Sequence, residues 1–126
     1  MASLSYEVIR VDTKGYDAVD LIEYVMDAVE RHKVTNGLIY LFTRSRGVFL
    51  LFIEYESELL RDLEDFMARL REAGLRGSLV EGLFSKNIIV PVLDGDTALG
   101  VFKHPVLVDV SGEPGSKEVL LLVESY

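Results

Sequence analysis

Apolar and polar positions change their spacing several times along the chain, and each change marks an element. Leu4, Tyr6 and Val8 alternate with other residues at the period of a strand, and Asp12-Thr13-Lys14-Gly15 has the composition of a turn that ends it. Leu21, Ile22, Val25, Met26 and Val29 then fall at helical spacing to about Lys33, and Asp20 with Glu23 three residues on has the form of a capping box. Asn36-Gly37 breaks the chain. Two strongly apolar runs follow, residues 38–43 and 48–54, joined by Arg44-Ser45-Arg46-Gly47, which predicts a hairpin. Both runs are apolar at consecutive positions, so both of their faces should be covered, by helices on one side and a neighbouring subunit on the other.

Ser57 is placed to cap a second helix, in which Leu59, Leu60, Leu63, Phe66, Met67 and Leu70 form one stripe, and Gly74 ends it. A connector over 75–86 leads to three further strands at 88–92, about 98–110 with an interruption at Pro105, and 119–124. Asp94-Gly95-Asp96 and Gly112-Glu113-Pro114-Gly115-Ser116 separate them with good turn chemistry. Hairpins outnumber crossovers in this order. The predicted class is therefore α+β, a mostly antiparallel or mixed β-sheet with two helices.

Composition narrows the setting. A chain of 126 residues without linker or repeat reads as one domain over 1–126. The absence of Cys removes thiolate zinc sites, a Cys nucleophile and redox pairs, and it suits a reducing cytoplasm. The longest apolar run, 48–53, is too short to span a bilayer, and the start Met1-Ala2-Ser3-Leu4 has no basic region followed by an apolar stretch, so neither membrane nor leader is expected. With 21 acidic against 13 basic residues the net charge is −8, which argues against a nucleic-acid partner. Gln is absent and Asn occurs only at Asn36 and Asn87, a depletion that suggests a thermophilic source.

Candidate chemistry is sparse. His32 and His104 have no partner at metal-ligand spacing, so a three-histidine zinc site within one chain is impossible and no metal or cofactor is expected. His32 reads as a helix-end cation and His104, beside Pro105, as part of a surface bend. Glu54 and Glu56 would share one side of an extended segment and suit a hard cation or an ammonium group, but Glu56 and Glu58 are better read as complementing the start of the second helix. Arg44, Arg46 and Arg76 would form a phosphate clamp if the fold brings them together. No phosphate-binding glycine loop or serine nucleophile elbow is present.

The block NGLIYLFTRSRGVFLLFIEYESELLRDL over 36–63 and the segment NIIVPVLDGDTALG over 87–100 resemble the YjbQ family, also called the secondary thiamine-phosphate synthase family. The resemblance implies an α+β homotrimer with a histidine metal site near the subunit boundary and, in some members, weak thiamine-phosphate synthase activity. At the positions of those histidines this chain has Ser45 and the segment Arg76-Gly77-Ser78, and Arg46-Gly47 replaces a threonine pair. The family's Thr-Trp-Gln is here Val101-Phe102-Lys103, while Arg44, Glu54, Glu56, Asp62, Gly37, Gly95 and Gly100 keep the pattern. The expectation is a homotrimer without the family's metal-dependent activity, acting as a structural or partner-binding assembly. The alternative is a metal-free protein that binds a phosphate ester, or a weak enzyme of the thiamine-phosphate synthase kind. Its anionic small molecule would lie at Ser45, Arg46, Arg76 and Ser78, with Glu54, Glu56 or Arg44 as candidates for catalysis.

Overall fold

Consecutive apolar residues have to be hidden on two sides, and the chain meets that demand with three layers. The computed structural model describes residues 2–100 and 102–126. Met1, the first residue of the leader reading, and Val101, within the predicted 98–110 strand and the Val101-Phe102-Lys103 stretch, lie outside the described residues.

The elements run β1 (Ser3–Thr13), β2 (Asp17–Asp20), α1 (Ile22–Arg31), β3 (Gly37–Phe42), β4 (Val48–Glu54), α2 (Ser57–Ala73), α3 (Gly77–Leu83), β5 (Asn87–Leu93), β6 (Asp96–Thr97), β7 (Lys103–Asp109) and β8 (Gly115–Ser125). They make a large sheet in the order β1-β8-β3-β5-β6 and a small one in the order β2-β7-β4. Every pairing is antiparallel. The class is α+β, as the pattern predicts, with one helix more than expected among the described residues.

The inner face of the large sheet, through Ile39, Leu41, Val90, Val119 and Leu121, packs on α1 and on Val48, Leu50 and Leu107 of the small sheet. The other face of the small sheet, through Phe49, Val106 and Val108, packs on Leu63 and Met67 of α2 and Val80 of α3. Phe84 closes this second core, stacked on Phe49 at 4.6 Å. The third surface is different. On the outer face of the large sheet Leu4, Tyr6, Val8 and Ile89 are 67%, 73%, 47% and 47% exposed, so the apolar alternation that marks β1 faces away from the chain's own core. Ile9 and Val11 supply the core contacts of that strand instead.

Several local expectations are corrected. The two apolar runs do not form a hairpin, because β3 lies in the large sheet and β4 in the small one. The hydrogen bonds of Gly47 go elsewhere: its N–H donates to Glu81 Oε2 at 2.7 Å and its carbonyl accepts from the Val110 N–H at 2.8 Å. The capping box at Asp20 and Glu23 is absent. Asp20 ends β2, and its Oδ1 accepts from the Ile22 N–H at 3.0 Å. Glu56 rather than Ser57 caps α2, accepting from the Leu59 N–H at 3.1 Å. Gly74 ends that helix in the left-handed region, as its position suggests. Pro105 sits inside β7 without interrupting it, opposite Phe52 of β4, because the β2 ladder starts only at Val106. Helix α3 escapes the sequence pattern because two of its seven residues are glycine.

Two half-buried or buried cations tie the loops down. Lys86 Nζ donates to the carbonyls of Ser45 at 2.7 Å and Val48 at 2.6 Å and to Glu81 Oε2 at 2.6 Å. Lys117 Nζ donates to Thr13 Oγ1 at 3.2 Å and the Glu113 carbonyl at 2.7 Å, and pairs with Asp109 Oδ2 at 3.3 Å. Burial pushes the Glu81 carboxyl up, but hydrogen bonds from Lys86 and the Gly47 N–H outweigh it and hold the group below the usual 4.5. A depressed carboxylate stabilises the fold above its unfolded value, and that contribution disappears as pH falls through the folded value. The melting-temperature advantage of the wild type over Glu81→Gln should therefore be full at neutral pH. It should shrink once the pH drops below about 4.5, which thermal unfolding followed by circular dichroism across pH will measure.

Candidate functional site

Three backbone segments meet where β4 begins, where α3 begins and where β7 ends. A Cβ at Gly77 would lie 2.6 Å from the Val110 carbonyl oxygen and 3.2 Å from the Gly47 Cα. One at Gly47 would lie 2.6 Å from the Ser111 Cα, and Gly47 also has φ +75, so this junction closes only with glycine at both positions. The residues beside the two glycines are thereby brought together. Arg46, Arg76 and Ser78 line one depression of about 290 Å³, with Ser111 and Glu113 on its far wall. Lys86 and Glu81 hold the 45–48 wall, and Asp109, whose Oδ1 accepts from the Ser111 N–H at 2.8 Å, holds the other.

Arg46 and Arg76 are exposed, and among the described residues neither guanidinium has a carboxylate in ion-pair reach. Two guanidinium forks and the Ser78 hydroxyl supply donors to this surface, which Glu113 also lines, while the Ser111 hydroxyl donates to the Glu113 carbonyl at 3.3 Å.

The other sequence candidates lie apart. Ser45 is next to the depression without lining it, because its Oγ accepts from the Glu118 N–H at 3.0 Å. Arg44 turns to the large sheet, where it and Arg10 hold Glu118 at 3.2 and 2.9 Å and lower that carboxyl through Arg44's hydrogen bond and the charge of Arg10. Glu54 stands at the opposite end of β4, in register with Lys103, and Glu56 is used as a cap. Of the three arginines, Arg46 and Arg76 line one depression and Arg44 does not. The histidine positions of the family pattern do not fit a metal ion here, since hydroxyls and a guanidinium replace the imidazoles and a fixed cation opposes another. Among the described residues no three His, Asp or Glu side chains are grouped to hold one.

Both histidines pair with carboxylates. His32 ends α1 as its position suggests, with Nε2 3.1 Å from Glu7 Oε2, and Glu7 also meets Arg31. His104 is not part of a surface bend. It lies in β7, half-buried, with Nδ1 2.9 Å from Asp20 Oδ2 and its ring stacked on Tyr55 at 4.7 Å.

Sequence reasoning missed two features. A groove of about 840 Å³ runs between α2 and the β1–β2 turn, over Leu63 and Met67, because part of the stripe taken for core is only partly covered. On the outer face of the large sheet the hydroxyls of Tyr40 and Tyr126 donate to Glu124 at 2.9 and 2.6 Å. These bonds lower the Glu124 carboxyl and raise both phenols. The period-two pattern of β3 and β8 holds the signal for that face, and Tyr126 is two residues from Glu124 in sequence, but Tyr40 reaches Glu124 only through the pairing of β3 with β8.

Solved structures share this architecture at low identity. A YbjQ-like protein of unknown function from Sulfolobus solfataricus superposes with a TM-score of 0.87 at 17% identity, covering 100% of both chains. A hypothetical protein from Aeropyrum pernix gives 0.83 at 18%, covering 97% of this chain and 99% of the other. A conserved hypothetical protein from Thermus thermophilus gives 0.74 at 21%, covering 90% and 97%. None of the curated proteins matches the chain. The family model described as UPF0047 protein YjbQ-like matches residues 7–125, and on that span, with the fold it shares with these structures, the chain belongs to the YjbQ-like UPF0047 family.

Proposed function

We propose that this YjbQ-like protein is a metal-free cytoplasmic homotrimer that binds a small phosphate ester in the Arg46–Arg76 depression. The observation that carries the reading is that Arg46 and Arg76, neither ion-paired among the described residues, line one depression with Ser78, Ser111 and Glu113, on a wall fixed by backbone contacts. No catalytic step is proposed, because Glu54 and Glu56 do not line the depression and Glu56 is occupied at the helix start. A second reading, a structural or partner-binding trimer, is favoured by the uncovered apolar face around Leu4, Tyr6, Val8 and Ile89, which suits burial against further subunits. The lack of Cys and Gln adds a reading of adaptation to heat.

Calorimetry or thermal shift with phosphate esters tests the first reading. Binding should be high micromolar or better and should weaken with salt, since charge-assisted contacts contribute about 1.5–3 kcal/mol when shielded and less in open water. Arg46→Ala and Arg76→Ala should each weaken binding about tenfold while leaving the melting temperature nearly unchanged; a chain that ignores every phosphate ester at millimolar concentration refutes it.

Assembly is tested by light scattering, where a mass near 14.1 kDa would count against the trimer. Tyr6→Asp should lower the assembled fraction by placing an unpaired charge in the contact, whereas Phe49→Asp should unfold the chain, because Phe49 is buried in the chain's own second core.

Elemental analysis of the purified protein should find no stoichiometric zinc; about one zinc per chain would show that other residues supply ligands.

A further inference from the structure

The outer face of the large sheet is laid out in rows across its strands, because residues two apart in a strand share a face. Register aligns Leu4 of β1 and Leu38 of β3 on either side of Glu124 of β8 at one end of the face. At the other end Arg10 lies opposite Glu118, and Arg44 reaches the same carboxylate. The two rows between these ends hold only Leu, Val, Phe and Tyr side chains across the three strands. From Glu118 to Glu124 the strand rises about 20 Å, so in water the two ends do not neutralise each other.

These ends carry opposite charge. Arg10 and Arg44 share one carboxylate, at 2.9 and 3.2 Å, which leaves a positive charge in excess on exposed side chains. At the far end Glu124 accepts from the Tyr40 and Tyr126 hydroxyls, and among the described residues no cation is in ion-pair reach of it. The bonds from Tyr126 and Tyr40 favour its ionised form. An apolar face with one basic and one acidic end is complementary to a second copy that meets it by the opposite end, and it repels a copy that meets it like end to like end.

Charge therefore restricts how copies are arranged. With the strands of three copies running along a threefold axis, the Glu124 carboxylates would gather at one level and the arginine pairs at another. With the strands running across the axis, each large sheet is one wall of a three-sided ring, the basic end of every copy meets the acidic end of the next, and the apolar rows face inward. Only the second arrangement uses both excess charges in a closed, head-to-tail assembly.

We propose that copies of this chain cover the outer face of the large sheet head to tail, Arg10 and Arg44 of one copy against Glu124 of the next, with the strands running across the threefold axis. The inference rests on the trimer reading above and adds to it the direction of the contact and the charges that set it.

Sedimentation and light scattering over a concentration series test it, with circular dichroism to check that each variant is folded. Glu124→Gln and Arg44→Gln each remove one excess charge and should raise the concentration for half-assembly about tenfold. Salt at about 0.5 M should weaken the wild-type assembly in the same direction. Glu124→Arg should leave mostly single chains, and adding Arg44→Glu to the same chain, which reverses both ends, should restore assembly to near the wild-type level. Like-end packing gives the opposite result for the neutral variant, since Glu124→Gln would then relieve repulsion and tighten assembly. With the trimer intact, the inference is overturned if Glu124→Gln tightens assembly or leaves it unchanged, or if the double reversal assembles no better than Glu124→Arg. A wild type that sediments as one or two chains overturns the trimer and the inference together.

Discussion

The small sheet has no polar face, and the rest of the molecule is arranged around that constraint. Phe49 and Leu50 are neighbours in β4 and both are 1% exposed, yet in a strand they point to opposite sides. Only a layer on each side can satisfy both. The large sheet and α1 take one side, and α2 with α3 takes the other. The consequence reaches the outer surfaces. Helix α2 needs only Leu63 and Met67 to close its side of the sandwich, which leaves room for a groove beside it. The large sheet, spending its inner face on the common core, carries an apolar outer face that nothing in the same chain covers.

Buried charge serves a local purpose in this arrangement. Removing an ammonium from water costs several kcal/mol unless its donors are all used. Lys86 uses its three on two carbonyls and Glu81, and Lys117 donates to Thr13 and a carbonyl and pairs with the Asp109 carboxylate. Among the described residues no buried side-chain polar atom lacks a partner. Because each lysine binds loop carbonyls rather than only another side chain, each converts a loop into part of the rigid scaffold. Residues 45–48 and 110–113, the two walls of the arginine depression, are the loops so held.

Most strand and helix identities were legible because period two and period 3.6 survive in a short sequence, as in β5, β8 and α2, whereas α3 and the short strands β2 and β6 left no such pattern. The pairing of strands was not. Two apolar runs separated by four residues with glycine give the same signal whether they fold back on each other or pass into different sheets. What decides is the distant carboxylate of Glu81 and the N–H of Val110, both of which claim Gly47. Capping failed for a similar reason: Asp20 reads as a cap locally, but its second oxygen is recruited by His104, more than eighty residues away. At the site, two of the three arginines singled out by residue type converge, since Arg46 and Arg76 adjoin the glycines of the junction. Arg44 does not, because its guanidinium is held by Glu118 of β8 in the large sheet.

The junction of Gly47, Gly77 and Val110 is made of main-chain atoms, and that has a consequence for chemistry. Side chains at 46, 76 and 78 are delivered to the same depression whatever their identity, provided the two glycines remain. Geometry and chemistry are therefore separable in this fold. Imidazoles in these segments, as in the family pattern, would present lone pairs to a cation, whereas guanidinium groups and a hydroxyl present N–H and O–H donors to an anion. Exchanging one set for the other reverses the charge that such a surface favours. Membership of the family rests on the matched span and the shared fold, while the side chains at Arg46, Arg76, Ser78 and Ser111 set the chemistry of this depression.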